Sequence, residues 1–353
     1  MRRFVLLAAL STVFACGKDS GGMQTGDDSP PADSAQPGSD GPDLAGTSYS
    51  ITWGPINVDA HDENTQCIRV KLTNPGEIKV NQIHNVLGAT SHHLIVYRDD
   101  DPNDQTEQMT PYDCQPFTGA LNTSGNVFPM VITQKHDDLL TLPTGVAYTL
   151  PANQMIKIEM HYINTTDDAS TATATVNVIA AEPSTITDEA NILFIGTPDV
   201  NLPPNANTTV HEFFSAQTAG LDTSNMNFFA MTGHTHKLGL DVKVGTAAGA
   251  TDPITSVYAP DPFLWSEPVT QTYTPEFKVP TTGGFDFQCD YYNDSSATVR
   301  FGESANDEMC FFWAYYYPSS GSHVCIHTNQ VGGGADVCCP DDSSICSLIA
   351  QQF

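Results

Sequence analysis

From about Ser48 onward the chain is written in short alternating runs: Cys67–Leu72, Leu94–Tyr97, Met155–Met160, Thr173–Ile179, Leu240–Val244 and Phe311–Tyr317. Successive side chains of a β-strand face opposite sides, so β-branched and aromatic residues at every second position give one face of a sheet its apolar surface. Pro, Gly, Asn and Asp bound these runs, as turns between strands require. No stretch sustains a helical period of any length. The pattern predicts an all-β protein, and the length of strand-rich sequence suits two sandwich domains better than one. The polar turn segment Pro183–Asp188 is the expected seam, giving an N-terminal domain over 48–183 and a C-terminal domain over 184–320.

The two ends have other textures. Arg2 and Arg3 precede an apolar run, Phe4–Phe14, that is too short to span a bilayer and has the form of a secretory signal. The run ends at Ala15 and Cys16 and resembles a bacterial lipoprotein signal, so residues 1–16 are expected to act as one, with Cys16 acylated; an ordinary signal peptide is the alternative. Residues 17–47 are Gly, Ser, Asp and Pro with almost no large apolar residue, and read as a disordered tether. The expectation is an exported protein at the cell envelope, on the periplasmic or cell-surface side, touching the membrane only through its lipid. An oxidising compartment suits the 9 cysteines. Four of them, Cys325, Cys338, Cys339 and Cys346, fall in a Cys-rich tail over 321–353. Neighbouring cysteines seldom pair with each other, so Cys338 and Cys339 should each reach Cys325 or Cys346, with a small metal knot as the weaker alternative.

Charge narrows the function. Lys and Arg total 13 against 41 Asp and Glu, a net charge of −28, and phosphate backbones need clustered cations that this chain lacks. Nucleic acid is excluded as a partner. Charged residues are only 15% of the chain and hydrophobic residues 40%, enough to bury a core.

The histidines carry the chemistry. His234 and His236 are spaced i, i+2, so a strand directs both rings to one side, where one metal ion can take both. His92 and His93 are adjacent and face opposite sides unless a bulge or strand end turns one of them. His161 closes the Met155–Met160 run. A single histidine on an apolar strand is more often a hydrogen-bonded core residue than a ligand, but that bland reading would have to hold for every member of the group. No His-Glu-x-x-His and no pair of Cys-x-x-Cys motifs supports a zinc hydrolase. Met309 is fixed by the adjacent Cys310, and a thioether with imidazoles suits copper, Cu(I) above all. His61, His84, His136, His211, His323 and His327 have no motif around them and read as surface or core residues.

These pieces together resemble the copper type II, ascorbate-dependent monooxygenases, the family of peptidylglycine α-hydroxylating and dopamine β-monooxygenases. The matching segments, in the family's order, are Ser91–Leu94, Ile158–Tyr162, His234–His236 with Gly239, Gln288–Tyr291, and Asp307–Cys310 followed by Tyr315–Pro318. The resemblance spans roughly residues 50–320. It implies two tandem eight-stranded antiparallel jelly-roll domains with two coppers per chain. His92, His93 and His161 would hold the electron-transfer copper, and His234, His236 and Met309 the copper where O2 and a small-molecule substrate react. It implies hydroxylation of an activated C–H bond with ascorbate or an equivalent reductant. It also implies disulfides between Cys289 and Cys310 and between Cys67 and Cys114.

Departures from the family refine this. Peptide-amidating members hold an arginine two residues before the His-x-His, where this chain has Thr232, so a glycine-extended peptide is not the expected substrate. Glu159 stands two residues before His161, as in the dopamine-type branch, and is expected either to touch a cationic or amine-like substrate or to support a copper ligand. Two other functions compete on the same fold: a non-catalytic copper-binding or copper-delivery lipoprotein, and a surface binding module whose histidines are structural.

Overall fold

The computed structural model describes residues 46–114, 126–302 and 304–339. The expected signal, Cys16, residues 17–45 of the tether and Cys346 lie outside them. Strands dominate, and the one helical element among the described residues is a 3-10 turn, Pro183–Thr185.

Two β-sandwiches follow one another along the chain. In the first, an antiparallel five-stranded sheet runs in the order Gln108–Asp113, Glu63–Lys71, Met155–Ile163, Ser91–Asp99, Val127–Thr133. It packs on a six-stranded sheet of Ser48–Val58, Ser170–Ala181, Ile78–Leu87, Val146–Leu150 and Asp188–Glu189, with Asp137–Thr141 also paired to Ile78–Leu87. The alternation read from sequence supplies the core, Ile68, Val96 and Ile158 meeting Trp53, Val80 and Val176. In the second, the order Gln271–Phe277, Asn227–His234, Cys310–Tyr317, Asn191–Thr197, His323–Thr328, Ala335–Cys339 forms one sheet. The facing sheet is Ala206–Ser215, Gly284–Asn293, Gly239–Ala247, Thr255–Tyr258, and Met231, Phe312 and Tyr316 pack on Val242, Phe285 and Phe287.

Short edge strands extend the eight-strand frame that the resemblance implies. The Cys-rich stretch expected as a separate tail after residue 320 instead continues the second sandwich. His323–Thr328 joins Asn191–Thr197 in parallel and turns back through Ala335–Cys339. Its apolar positions Val324, Ile326 and Val337 are buried, which is why it adds to the sheet. Cys325 and Cys338 sit opposite each other in register and are bridged, with 4.0 Å between their Cα atoms. His327 secures the hairpin to the facing sheet, 2.8 Å from Asp336 and 3.2 Å from Glu212, and these two carboxylates push its pKa up to about 10.

The central strands of the six-stranded sheet of the second sandwich are buried on both faces. Along Cys310–Tyr317, residues 310, 312, 314 and 316 enter the second core, while Phe311, Trp313 and Tyr315 join the core of the first sandwich. A strand covered on both sides needs a continuous apolar run rather than an alternating one, and the sequence here is CFFWAYYY. The Tyr315 hydroxyl lies 3.3 Å from the Ile132 carbonyl and 3.1 Å from its N–H, joining the two halves. Gly196 lies against the Phe311 ring, where a Cβ would come within 2.0 Å of a ring carbon.

The two sandwiches repeat one local device. Met155–Ile163 is followed by Asn164, and Gly284–Asn293 ends in Asn293; both asparagines are almost fully buried. Asn164 Nδ2 donates to the carbonyls of Val58, Asp59 and Asp168, at 3.1, 3.0 and 2.8 Å. Asn293 Nδ2 donates to those of Leu202, Pro203 and Ala297, at 2.9, 3.1 and 2.9 Å. Each amide oxygen accepts from the N–H and hydroxyl two residues on, at Thr166 and Ser295. Each asparagine thus fastens a central strand end to the carbonyls of neighbouring loops. Replacing Asn164 or Asn293 with alanine is expected to cost about 2–4 kcal/mol each, read as a lower denaturation midpoint at unchanged slope. A midpoint within experimental error of the wild type would remove this role.

Candidate metal centre

The register of the first sandwich decides what its adjacent histidines can do. His93 pairs with His161 across the sheet, and the ladder slips between Ser91 and His93, so His92 occupies a bulge. The bulge turns both rings toward the same place. The ring of His92 lies 5.5 Å from that of His93 and 5.4 Å from that of His161, and His93 and His161 are 4.8 Å apart. In the second sandwich His234 ends its strand and His236 follows two residues later, with ring centroids 5.1 Å apart. The two sets face each other across the sandwich interface, where His93 and His234 are 6.4 Å apart. Trp265, from the loop between Thr255–Tyr258 and Gln271–Phe277, covers the group with its ring 5.7 Å from His92.

Carboxylates and carbonyls around the rings fix which nitrogen carries the proton. His161 Nε2 lies 2.9 Å from Glu63 Oε1, an acceptor, so its Nδ1 carries the lone pair; that nitrogen is hydrogen-bonded with His93 Nε2 at 3.1 Å. His236 Nδ1 donates to the Asp307 carbonyl at 3.1 Å, leaving Nε2 to a ligand. His234 Nδ1 lies 2.9 Å from Gln134 Oε1 of the first sandwich, and His234 Nε2 is buried with no hydrogen-bond partner among the described residues. His92 Nε2 is likewise buried and unpartnered among them. Burial, reinforced by the neighbouring rings, lowers the pKa of His92 to about 3 and those of His93 and His234 well below the ordinary value. His236 falls to about 4, chiefly through burial. The four are neutral at neutral pH, the state in which imidazole binds a metal.

Met309 is buried, at 1% exposure. His234 pairs opposite Phe311, and Met309 joins the same buried cluster as Phe311 and Trp313, so the thioether lies on the sheet face that carries His234. Its carbonyl accepts from the Tyr291 hydroxyl at 2.6 Å, and the next residue is tied to Cys289 by a disulfide. Cys67 and Cys114 are likewise bridged. Glu308, within the Asp307–Cys310 segment, lies under the His-x-His turn: its carboxylate accepts from the N–H of His236 at 2.9 Å and of Leu238 at 2.7 Å. Burial raises its pKa to about 7. Gly239 closes this turn on Thr235, which leaves no room there for a Cβ.

Glu159 lies on the same strand as His161. It is fully buried two residues along the strand from His161, where it accepts from the Tyr97 hydroxyl at 2.9 Å. Thr232 faces Thr270, hydroxyl to hydroxyl at 2.9 Å. Glu63, Gln134 and Trp265 escaped sequence reading because they belong to no spacing pattern; only the fold brings them to the histidines. Among the described residues, no three histidine, cysteine or carboxylate side chains are already gathered as a cage for a metal. The donors that are present fit copper by their chemistry: neutral imidazoles with unpartnered nitrogens, and a thioether on the same face.

Residues 188–332 match the family described as copper type II ascorbate-dependent monooxygenase, C-terminal domain. The match takes in His234, His236, Met309 and the first strand of the Cys-rich hairpin, so it covers most of the second sandwich. No curated protein matches the chain by sequence. Among solved structures, the major capsid protein P2 of bacteriophage PM2 aligns with 78% of this chain and 100% of its own, at 8% identity and a TM-score of 0.33. An archaeal virus protein with a triple jelly-roll fold aligns with 79% of this chain and 61% of its own, at 8% identity and a TM-score of 0.22. Likenesses this distant say nothing about function.

Two expectations follow from this geometry. Glu308→Ala leaves the amides of His236 and Leu238 without acceptors, so hydrogen exchange at both should quicken and stability should fall by about 2–3 kcal/mol; wild-type exchange there would show that the carboxylate does not hold the turn. For the copper-free protein, the histidine pKa values lie below the unfolded value of 6.5, so folding binds fewer protons. Stability is present above pH 6.5 and should be lost as pH falls toward about 4, the value at His236. Chemical denaturation across that range checks it, and a flat profile would mean that the rings are already protonated or solvated.

Proposed function

We propose that this protein is a copper-dependent monooxygenase that hydroxylates an activated C–H bond of a small organic substrate, using O2 and ascorbate or an equivalent reductant. One observation carries the reading: within the family-matched segment, His234 lies on the sheet face that buries Met309, and the ring of His236, 5.1 Å from that of His234, has its Nδ1 held by the Asp307 carbonyl so that Nε2 is left to a ligand. In this reading His234, His236 and Met309 hold one copper, and His92, His93 and His161 hold a second on the facing sandwich. Bound copper supplies one-electron redox chemistry and the site of O2 activation.

The chain's own residues do the rest. The soft thioether favours the reduced, Cu(I) state. Glu308 and Asp307 hold His236 from behind, and Gln134 holds His234 from the opposite sandwich, so ligand orientation is set before metal arrives. Double-sided burial of the sheet beneath them keeps bulk water from the thioether. At Thr232 the side chain offers a buried hydroxyl where amidating relatives hold an arginine, which supports a substrate without a carboxylate to anchor. The net charge of −28 favours approach by cations and so an amine-like substrate, while the place of Glu159 two residues before His161 inclines the reading to the dopamine-type branch. Glu159, bonded to Tyr97, serves in this reading as support for the His161 strand rather than as a substrate contact. Acylation at Cys16 would hold the enzyme at the envelope of a bacterium.

The test uses copper-loaded protein with ascorbate, O2 and a panel of arylalkylamines such as tyramine, with product read as a gain of one oxygen atom by mass spectrometry. Wild type should bind two coppers and form the product. Met309→Ile should lose about 100-fold or more in turnover while retaining the copper at His93. Two bound coppers with no oxygenated product across the panel would favour copper storage or delivery, and undiminished turnover in Met309→Ile would overturn the assigned site.

A further inference from the structure

Glu63 stands at the start of Glu63–Lys71 in the first sandwich, and its carboxylate is shared between the two halves of the molecule. Oε1 accepts from His161 Nε2 at 2.9 Å and from the backbone N–H of Ala305, in the second sandwich, also at 2.9 Å. Oε2 lies 3.4 Å from the Ser304 hydroxyl. The segment so held is short and consequential. The Asp307 N–H closes a turn onto the Ser304 carbonyl at 2.8 Å; Asp307 then accepts from His236, Glu308 caps the His-x-His turn, and Met309 follows. A single carboxylate therefore reaches a histidine of one set directly and the backbone that orients the other set through three or four residues.

We propose that Glu63 is a positioning residue with two simultaneous tasks: it keeps the His161 proton on Nε2, so that Nδ1 is the nitrogen offered to metal, and it fastens Ser304–Ala305 so that Asp307–Met309 stays in register with His234 and His236. The first task follows from acceptor chemistry. A carboxylate has no proton to give at neutral pH, so the ring nitrogen facing it must be the donor, and a ligand histidine held this way keeps one orientation. The second follows from peptide satisfaction. The Ala305 N–H has the Glu63 carboxylate as its acceptor, and removing it leaves that N–H without its acceptor and releases this tie of the turn to the first sandwich. Because both bonds end on the same oxygen, an amide at this position can still accept both, whereas alanine accepts neither. The metal-facing half of the proposal rests on the copper reading above; the tautomer and the fastening do not.

The experiment compares wild type, Glu63→Ala and Glu63→Gln in the full mature chain, first without copper. In wild type, nitrogen-15 shifts of His161 should show the proton on Nε2. In Glu63→Ala that signature should be lost or mixed, and hydrogen exchange at Ala305 through Glu308 should quicken by about tenfold or more. Glu63→Gln should recover most of both. On titration with Cu(I), Glu63→Ala should bind the His92, His93 and His161 set about 10–100-fold more weakly than wild type. Wild-type exchange and an unchanged His161 tautomer in Glu63→Ala would overturn the proposal. So would equal damage in Glu63→Gln and Glu63→Ala, since that would be a loss of structure rather than of an acceptor. If wild type takes up no copper, the copper reading fails while the tautomer and exchange results still decide the role of Glu63. Should Glu63→Ala not fold, Glu63→Asp keeps the charge but is one methylene too short to reach both partners, and is expected to quicken the same amides.

Discussion

Everything at the candidate centre depends on one sheet being buried on both sides. Cys310–Tyr317 sends Phe312, Ala314 and Tyr316 into its own sandwich and Phe311, Trp313 and Tyr315 into the neighbouring one. Each large aromatic removes about 150–250 Å² from water, at about 25 cal/mol per Å², so this face alone is a major share of what holds the halves together. Two sandwiches joined by a linker would be free to reorient. Here an aromatic face fixes the orientation, and the facing histidine sets inherit it.

Polar contacts refine what the apolar contact imposes. Glu63 and Gln134, both from the first sandwich, reach respectively the loop before Met309 and the ring of His234. These bonds lie at the rim of the aromatic contact, where an unpaired group is costly and a paired one is specific to one register. The same burial that makes the interface adhesive drives the imidazoles toward neutrality, because several like charges in one dry space repel. Adhesion, ligand protonation state and ligand orientation thus share one physical origin. The second sandwich reinforces this with covalent and ionic ties: the Cys289–Cys310 bridge beside the thioether, and the Cys325–Cys338 hairpin that His327 fastens to the opposite sheet.

Much of this was legible in one dimension. Period-two alternation marked Cys67–Leu72, Met155–Met160 and Thr173–Ile179 as strands, and they are, although Met155–Met160 is buried on both faces. The adjacency of His92 and His93 demanded a bulge for both to serve one site, and the ladder slips there. Other features were illegible for identifiable reasons. The hairpin after residue 320 reads as a cysteine-rich appendage because its strands are short and its glycines conspicuous, yet three buried apolar residues suffice to dock it on an existing edge. Glu63 sits among Asp62, Asn64 and Gln66 in a stretch that looks like an exposed turn.

The sequence by itself determined the strands, the two sandwiches, the donor types and the spacing that puts His234 and His236 on one side. Those properties are local: they depend on side-chain alternation over a few residues and on the chemistry of each group. The tertiary structure alone decided that the two histidine sets face each other, which nitrogen of His161, His234 and His236 carries the proton, and which acceptors stand behind those rings. Those depend on contacts between Glu63 and Ala305 and between Gln134 and His234, separated by 242 and 100 residues. No local pattern encodes such pairs, because they exist only once an aromatic face has brought two separately folded sheets together.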